Sequence, residues 1–466
     1  MSNKMLSSES KRDAMLTAPL RKLIPAMALP TIISMLISSI YSLADTFFVS
    51  KLGTDATSAV GINASLDQII MLAGSFLAMG AGSYVSRLLG ANNNDKAEQV
   101  LVTSSVTAFA FGLVVLIVGK INLVPLVRFL GAIPDIEQYS IDYATYVLYA
   151  APFMAMSFVL NNTLRAEGSA TRAMIGMTVG GILNCVLDPI FIFTFDMGVK
   201  GASVATAISK LVSFAILLWP YISGRSVVRF ALSKIRYSYD IVAEVVKMGS
   251  PSLLRMGLSI TSAILMNRIA GAQFSTSVLA AISVTNRLLM VLFSACLGLG
   301  QGFQPVVGFC WGAKRTDRIV EAYNFTSKLS AIAIALPSAV VFIFAKQLIG
   351  SFTTTDETML EIGMFALRAQ CVVMPLHAWN IVVNMLYAGM GRAFGALIMS
   401  CTRQGLCFIP LLYTLPRLFG VWGLAAIQAG AEIFTLLISI PLAMSILRQL
   451  KQFDITYLVE NEEIPL

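Results

Sequence analysis

The chain has few charged residues for its length. Only 12% of its 466 residues are Asp, Glu, Lys or Arg, whereas 57% are hydrophobic and the mean hydropathy is +0.78. Soluble domains carry about 25% charged residues, so this deficit argues against a soluble enzyme and predicts a membrane protein. The net charge of +8 is spread over short loops rather than gathered in a basic stripe, and we expect no nucleic-acid partner.

Histidine is almost absent, and cysteine is not paired. His377 is the only histidine, which argues against a His-ligated catalytic metal. The six cysteines lie in apolar stretches without a CxxC spacing, so we expect them to pack as small hydrophobic side chains. No nucleophile–base pair stands out, and no cofactor or enzymatic activity is expected. The polar start of the chain predicts no cleavable signal peptide.

Apolar segments of membrane-spanning length recur about twelve times. The predicted spans are 22–50, 56–86, 97–119, 138–164, 172–196, 200–222, 245–270, 276–310, 323–350, 358–389, 393–416 and 420–447. Lys and Arg concentrate on the side of the termini, so the positive-inside rule places both termini in the cytoplasm. The sequence predicts an all-α integral membrane protein, a monomer that crosses the lipid bilayer of the inner (plasma) membrane many times.

The two halves of the chain resemble each other. MGAGSYVSRLLGANNNDKA from Met79 aligns with LGQGFQPVVGFCWGAKRTDRI from Leu299, at an offset of about 221 residues. Each half has an even number of spans, so the repeat predicts two pseudo-two-fold related six-helix lobes around a central cleft. The expected domains are a cytoplasmic tail (1–21), an N-lobe (22–222), a cytoplasmic linker (223–244), a C-lobe (245–447) and a second cytoplasmic tail (448–466).

The first span carries a single acid. Leu23 to Ser50 is about 28 residues long, enough to cross the ~30 Å hydrocarbon core. Asp45 lies inside this stretch, and an ionisable side chain at that depth is expected to face protein or water rather than lipid. Pro30 removes one backbone hydrogen bond from the same helix and predicts a bend.

The fifth span carries a second acid, in the segment GGILNCVLDPIFIF. Asn184 and Asp188 are four residues apart and therefore share a helix face. Asp188 and Asp45 lie at similar distances from the outer ends of their spans, so we expect them at similar depth. Such a pair would hold a proton near neutral pH, or would stay ionised and hold Na⁺ with Asn184 and Thr206. The alternative is that neighbouring hydroxyls and amides satisfy each acid separately.

The second half of the chain lacks these acids. The repeat places Met266 opposite Asp45 and Ile409 opposite Asp188. The sequence therefore predicts that ion coupling is a property of the N-lobe alone.

Several motifs together resemble one family. They are PTIISMLISSIYSLADTFFVSKLG in the first span, GAGSYVSRLLGA closing the second, LRAEG after the fourth, NCVLDPIFIF in the fifth and GASVATAIS in the sixth. Over nearly its whole length the chain resembles the multidrug and toxic compound extrusion (MATE) transporters, in particular the bacterial branch that keeps its acids in the N-lobe. The resemblance implies a cation site formed by Asp45, Asn184, Asp188 and Thr206 with Tyr143 nearby, and a drug path lined by Asn161.

Five further residues are assigned to the transport path or its gate. Arg255, in the seventh span, lines a cavity or snorkels to the inner interface. Asp67 and Arg287, at an offset near 220, pair as an outer gate or are solvated separately. Met35 and Met177 border the substrate path, where flexible side chains accept dissimilar cations, or they are ordinary packing.

The function predicted from these residues is secondary active export of hydrophobic, mostly cationic organic compounds, such as drugs. Transport would proceed by alternating access and would be driven by inward H⁺ or Na⁺, with Na⁺ held at the two aspartates if it is used. The alternative is a flippase for a lipid-linked precursor, built on the same superfold. That activity needs a broad cationic cleft for a pyrophosphate headgroup, and Arg255 alone supplies little of it.

Overall fold

The computed structural model describes residues 8–352 and 356–460. These ranges are helical, and they contain no β-strand. The α-helices are α1 (Ser8–Thr17), α2 (Leu20–Ser50), α3 (Thr54–Gly90), α4 (Asn94–Ile121), α5 (Leu123–Leu130), α6 (Pro134–Ala166), α7 (Ala170–Pro189), α8 (Gly198–Ile222), α9 (Tyr239–Gln273), α10 (Thr276–Gly312), α11 (Thr316–Ile343), α12 (Ala345–Gly350), α13 (Glu357–Gly389), α14 (Ala393–Cys401) and α15 (Phe408–Glu460). The π-helical turns Ile190–Thr194 and Thr402–Cys407 follow α7 and α14.

Ten helical stretches of the described ranges are long and apolar enough to cross a membrane. One of them, Ala393–Phe453, is interrupted at Gly420, whose left-handed φ of 58° separates two helices and therefore two spans. The 35-residue helix α9, which carries Arg255, provides the twelfth span. The prediction of an all-α membrane protein with twelve spans is confirmed.

Two predicted spans begin six or seven residues after the start of their helices. Helix α9 begins at Tyr239 rather than near residue 245, and α11 begins at Thr316 rather than near 323. Both extensions are polar, with Asp240 and Asp317 in their first turns, where a carboxylate interacts favourably with the helix dipole. Hydropathy does not detect such turns, because a helix can continue beyond the apolar layer.

Contacts divide the chain into two compact units. The N-unit comprises the chain up to Ala14 together with Ile33–Gly249, and the C-unit comprises Met15–Ile32 together with the chain from Ser250. The sequence had assigned all of residues 22–222 to the N-lobe, but the first half of α2 packs in the C-unit. A Cβ on Gly302 of α10 would lie only 2.5 Å from the Cα of Ala28, so the missing side chain permits this close packing.

The backbone repeats between the two units. Residues with a left-handed φ recur at helix ends in both units. Asn92 corresponds to Lys314, and Gly198 corresponds to Gly420, with an offset of 222 residues in each pair. Helices α3 and α10 are both 37 residues long, and they begin at Thr54 and Thr276, which gives the same offset. The internal repeat seen in the sequence is therefore present in the geometry of the chain.

This register corrects the argument for the predicted gate. With an offset of 222 the repeat pairs Asp67 with Leu289, and it pairs Arg287 with Ser65. The offset near 220 was wrong by two residues, which is more than half a helical turn. Asp67 is half-buried whereas Arg287 is exposed, as expected for positions on different faces.

A buried carboxylate ties α1 to the N-unit. Glu167, in the LRAEG motif after α6, is fully buried and accepts hydrogen bonds from Ser169 Oγ at 2.7 Å and from the backbone N–H of Val227 at 2.8 Å. Lys11 Nζ of α1 lies 3.3 Å from its Oε1. Residues 8–17, which the sequence assigned to a tail, thus form a helix held by this motif.

Candidate functional site

Three acids from three helices converge in the N-unit. Asp45 lies on α2, Asp67 on α3 and Asp188 on α7, and Asp45 interacts electrostatically with both of the others. Asp188 is fully buried, and the other two are partly buried. The sequence predicted the proximity of Asp45 and Asp188, but it had assigned Asp67 to a gate. Mutually repelling carboxylates in a low-dielectric interior favour the binding of a cation.

The two acids predicted for the cation site lie among polar groups that the sequence also named. Asn184 Nδ2 donates to Asp188 Oδ1 at 3.1 Å and lies 3.3 Å from Thr206 Oγ1 on α8. The buried Tyr143 of α6 lies within hydrogen-bonding reach of Asp45 and of Thr206. All five residues of the predicted site therefore lie in one region of the N-unit.

Lys210 on α8 is a member of this cluster that was not predicted from the sequence. Its Nζ donates to the hydroxyl of Tyr41 at 2.9 Å, and it interacts electrostatically with Asp67 and Asp45. The signal was available, because a lysine within an apolar span is as unusual as an aspartate there. The charged side chains of the cluster are thus three carboxylates and one ammonium.

Several oxygens of the cluster have no hydrogen-bond partner among the described residues. They are Oδ1 of Asp45, Oδ1 of Asp67, Oδ2 of Asp188 and Oδ1 of Asn184. Buried carboxylate oxygens are normally satisfied, and unsatisfied ones indicate a proton, an ion or water that the chain itself does not supply. Within the described residues no three His, Cys, Asp or Glu side chains lie close enough to share a metal ion. A bound Na⁺ would therefore need Asn184 or Thr206 as further oxygen ligands.

The residues assigned to the substrate path have different environments. Asn161 is buried, and its Nδ2 donates to the carbonyl of Ala173 at 3.0 Å, so this donor already links α6 to α7. Met35 and Met177 are half-buried in the N-unit. Pro30 lies inside the continuous helix α2, two residues before the division between the units. The roles of Asn161, Met35 and Met177 in the substrate path, and of Pro30 as a helix bend, stay predictions.

Arg255 lines a cavity within the C-unit. The cavity has a volume of about 740 Å³, and its walls include Arg255, Arg287 and Arg403 but, among the residues that the structure describes, no Asp or Glu. Phe293, Met290 and Met399 contribute to the apolar part of the walls. Of the two interpretations of Arg255, the structure favours cavity lining. Arg287, the second residue of the predicted gate, faces the same cavity, so its pairing with Asp67 stays a prediction that the repeat no longer supports.

One carboxylate lies beside this cavity. Glu432 on α15 is fully buried, forms an ion pair with Arg403, and lies 3.0 Å from His377 Nδ1. Asn380 Nδ2 lies 3.4 Å from its second oxygen. Neither Glu432 nor Arg403 was predicted from the sequence as a site residue, although each is an ionisable residue within an apolar span.

The two charge clusters are related by the repeat. Gly198 and Gly420 occupy equivalent left-handed positions, and the same offset of 222 pairs Lys210 with Glu432. The N-unit thus has acids with one lysine, and the C-unit has arginines with one glutamate at the matching position.

Comparison with known proteins assigns the family. The MatE family model matches residues 30–190 and 251–414, which together exceed half of the chain. The chain belongs to the MATE family. Multidrug export protein MepA of Staphylococcus aureus (strain NCTC 8325 / PS 47) is 27% identical over 449 residues, which cover 95% of this chain and 98% of that protein. MepA of Staphylococcus saprophyticus (strain ATCC 15305) is 27% identical over 401 residues, which cover 85% and 87% of the two chains.

A solved structure agrees with this assignment. It is described as the outward-facing conformation of a multidrug resistance MATE family transporter of the MOP superfamily. It matches with a TM-score of 0.89 and 25% identity, covering 97% of this chain and 100% of the other. Members of the MATE family are transporters, so this multi-pass membrane protein is a transporter and not an enzyme.

Proposed function

We propose that the protein exports hydrophobic, mostly cationic organic compounds in exchange for H⁺ or Na⁺ that binds in the N-unit. The observation that carries this proposal is the cluster of Asp45, Asp67 and Asp188 with its unpartnered carboxylate oxygens. The names of the relatives, which are multidrug export proteins, support the class of substrate.

The charges of the cluster explain how exchange would arise. With all groups ionised, three carboxylates and Lys210 leave an excess of two negative charges. A proton, a sodium ion or an organic cation would each reduce this excess. Once one of them is bound, the others would bind more weakly, because less negative charge remains. Competition of this kind between a coupling ion and a substrate cation is the basis of antiport. Alternating access then requires that each ligand favour a different conformation.

The polar neighbours bear on the choice of ion. Protonation needs only a carboxylate, whereas Na⁺ needs several oxygen ligands, which Asn184 and Thr206 would supply together with Asp188. Thr206→Val removes one such ligand and keeps the volume of the side chain. We expect it to weaken Na⁺-driven efflux and to leave H⁺-driven efflux close to wild type. Equal losses under both gradients would contradict a specific Na⁺ site at Thr206.

The orientation and location follow from the sequence pattern. We place both termini in the cytoplasm and the protein in the plasma membrane, because Lys and Arg concentrate in the loops on the side of the termini. With this orientation, coupling ions enter the N-unit from outside, and the substrate leaves in the opposite direction.

Ethidium efflux from proteoliposomes tests the proposal. Efflux is measured with wild type under an imposed pH gradient and then under a sodium gradient. It is repeated with Asp45→Asn and with the matched control Asp55→Asn, whose carboxylate is exposed at the start of α3. We expect at least one gradient to drive efflux, Asp45→Asn to reduce it to the level of empty liposomes, and Asp55→Asn to leave it unchanged. Gradient-driven efflux at the wild-type rate in Asp45→Asn would reject the proposal.

A further inference from the structure

We propose that the C-unit cavity binds the carboxylate of an aromatic organic anion or zwitterion. The proposal deepens the export function by assigning a second binding subsite within the C-unit, and it rests on that function only for the step after binding. Four properties of the cavity carry it: the unpaired arginines, the charge balance, the apolar walls and the volume.

Two of the three arginines lack a counter-ion. Arg403 is neutralised by Glu432, whereas Arg255 and Arg287 form no ion pair with a described residue. Arg255 interacts electrostatically with Arg403, whose charge Glu432 already balances, so Arg255 and Arg287 supply the net positive charge of the cavity. A guanidinium without a counter-ion in a partly desolvated cavity is unfavourable, and an anion bound beside it reduces this cost.

The polar groups of the cavity suit an oxyanion. A guanidinium presents paired N–H donors that match the two oxygens of a carboxylate. The walls add the side-chain amides of Asn267, Asn286 and Gln404, which donate hydrogen bonds without adding negative charge. Since the walls contain no Asp or Glu, the cavity has little to offer an organic cation.

The rest of the wall suits an aromatic scaffold. The guanidinium of Arg403 stacks over the Phe293 ring at 4.9 Å from its centroid, and the His377 ring meets Phe293 edge-on at 5.0 Å. Methionines and Phe408 line other parts of the cavity, and such side chains adapt to rings of different shape. The volume of about 740 Å³ lies within the range of sites for drug-sized molecules.

The same arginines would also attract a lipid phosphate, as the flippase alternative requires. An aromatic carboxylate is favoured over a lipid phosphate for two reasons. The arginines lie beside aromatic and methionine side chains, and the cavity is of a size that holds a small molecule. A long polyprenyl chain would have most of its length outside this cavity. An aromatic carboxylate and a lipid phosphate both present an oxyanion, so the experiment must distinguish between these two ligands.

The test is a binding titration with the full-length transporter purified in detergent, without an ion gradient. The probes are dansylglycine, a fluorescent aromatic carboxylate, and dansylamide, its neutral counterpart. Arg255→Gln and Arg287→Gln are compared with Arg268→Gln, a control that changes an exposed arginine of α9 outside the cavity walls. We expect wild type to bind dansylglycine and each cavity variant to bind it at least tenfold more weakly. Dansylamide binding and the control should not change.

Several results would overturn the proposal. It is wrong if wild type does not bind dansylglycine, if both cavity variants bind it like wild type, or if both probes weaken equally. If Arg255→Gln does not fold, Arg255→Lys replaces it, because lysine keeps the positive charge. The proposal then requires Arg255→Lys to bind dansylglycine more tightly than Arg287→Gln does. Because the assay needs no gradient, failure of ion-coupled ethidium efflux would leave a positive binding result intact.

Competition identifies the source of the oxyanion. Dansylglycine is displaced with 2-naphthoate, inorganic phosphate or farnesyl pyrophosphate. Displacement by 2-naphthoate at the lowest concentration supports the aromatic carboxylate. Displacement by farnesyl pyrophosphate at a lower concentration would overturn this assignment in favour of a lipid phosphate, and displacement by inorganic phosphate at the lowest concentration would reject the aromatic scaffold.

Discussion

The N-unit and the C-unit share a backbone pattern, but their interiors carry opposite charge. Asp45, Asp67 and Asp188 occupy the N-unit cluster, whereas three arginines line the C-unit cavity. The helices repeat with an offset of 222, so the fold alone does not decide which ions or substrates a unit attracts. Function is set by a few side chains placed on a repeated scaffold.

Each unit also holds one charge of the opposite sign at the matching position. Lys210 lies beside Asp45 and Asp67, and Glu432 pairs with Arg403 and His377. A counter-charge reduces the cost of burying like charges, but in both units it does not neutralise the whole cluster. The remaining charge is negative in the N-unit and positive in the C-unit. The substitutions below test this difference in charge.

The largest effect on stability is expected in the C-unit. Glu432→Gln removes the buried carboxylate and leaves the partly buried guanidinium of Arg403 without its counter-ion. Breaking a fully buried ion pair costs about 3–5 kcal/mol, which is the upper bound here, and the melting temperature in detergent should fall. Adding Arg403→Met should restore part of the loss, because the unpaired charge is then removed as well. A double variant no more stable than Glu432→Gln would show that the pair does not act as a unit.

A smaller effect is expected from the counter-charge of the N-unit. Lys210→Met removes the ammonium near Asp45 and Asp67, so the excess negative charge increases and ethidium should bind about tenfold more tightly. Tighter binding should slow release and lower the maximal efflux rate. Lys200→Met, which changes an exposed lysine on the same helix, is the control. Weaker ethidium binding in Lys210→Met would mean that Lys210 organises the site rather than opposing the cation.

The smallest effect is expected at Met266 and Ile409, which the sequence placed opposite Asp45 and Asp188. The offset of 222 instead pairs these acids with Asn267 and Pro410, which carry no charge either. Met266→Ala and Ile409→Ala should each cost about 1–3 kcal/mol of packing and should leave the response to the ion gradient unchanged. Met266 belongs to the apolar core of the C-unit, which explains the stability cost. Expression, melting temperature and gradient-driven efflux distinguish the two effects. Loss of coupling in a stable, well-expressed variant would show that ion coupling extends into the C-unit.

Much of this architecture can be predicted from the sequence, since spans, repeats and intramembrane acids depend on local patterns. Hydropathy locates Asp45 and Asp188 in apolar helices, and the spacing places Asn184 on the same face as Asp188. Arg403 lies in an apolar span too, but no local pattern shows that it meets Glu432, which lies 29 positions further along the chain. Such pairs form through tertiary packing between helices.

The exact register of the repeat and the division between the two units could not be predicted from the sequence either. An error of two residues in the repeat was enough to pair Asp67 with Arg287, because neighbouring residues of a helix point to different faces. The division of α2 after Ile32 is also invisible in its composition, which stays apolar across that point. Contacts made by residues far along the chain, such as Gly302, decide which unit each half joins.

The most direct test of the central claim compares one neutralised acid of the N-unit with one neutralised arginine of the C-unit. Ethidium efflux from proteoliposomes is measured for wild type, Asp188→Asn and Arg255→Gln, with and without the ion gradient that drives wild type. The account predicts that the gradient stimulates wild type and Arg255→Gln to the same degree and does not stimulate Asp188→Asn. Stimulation retained in Asp188→Asn, or lost in a correctly folded Arg255→Gln, would contradict it.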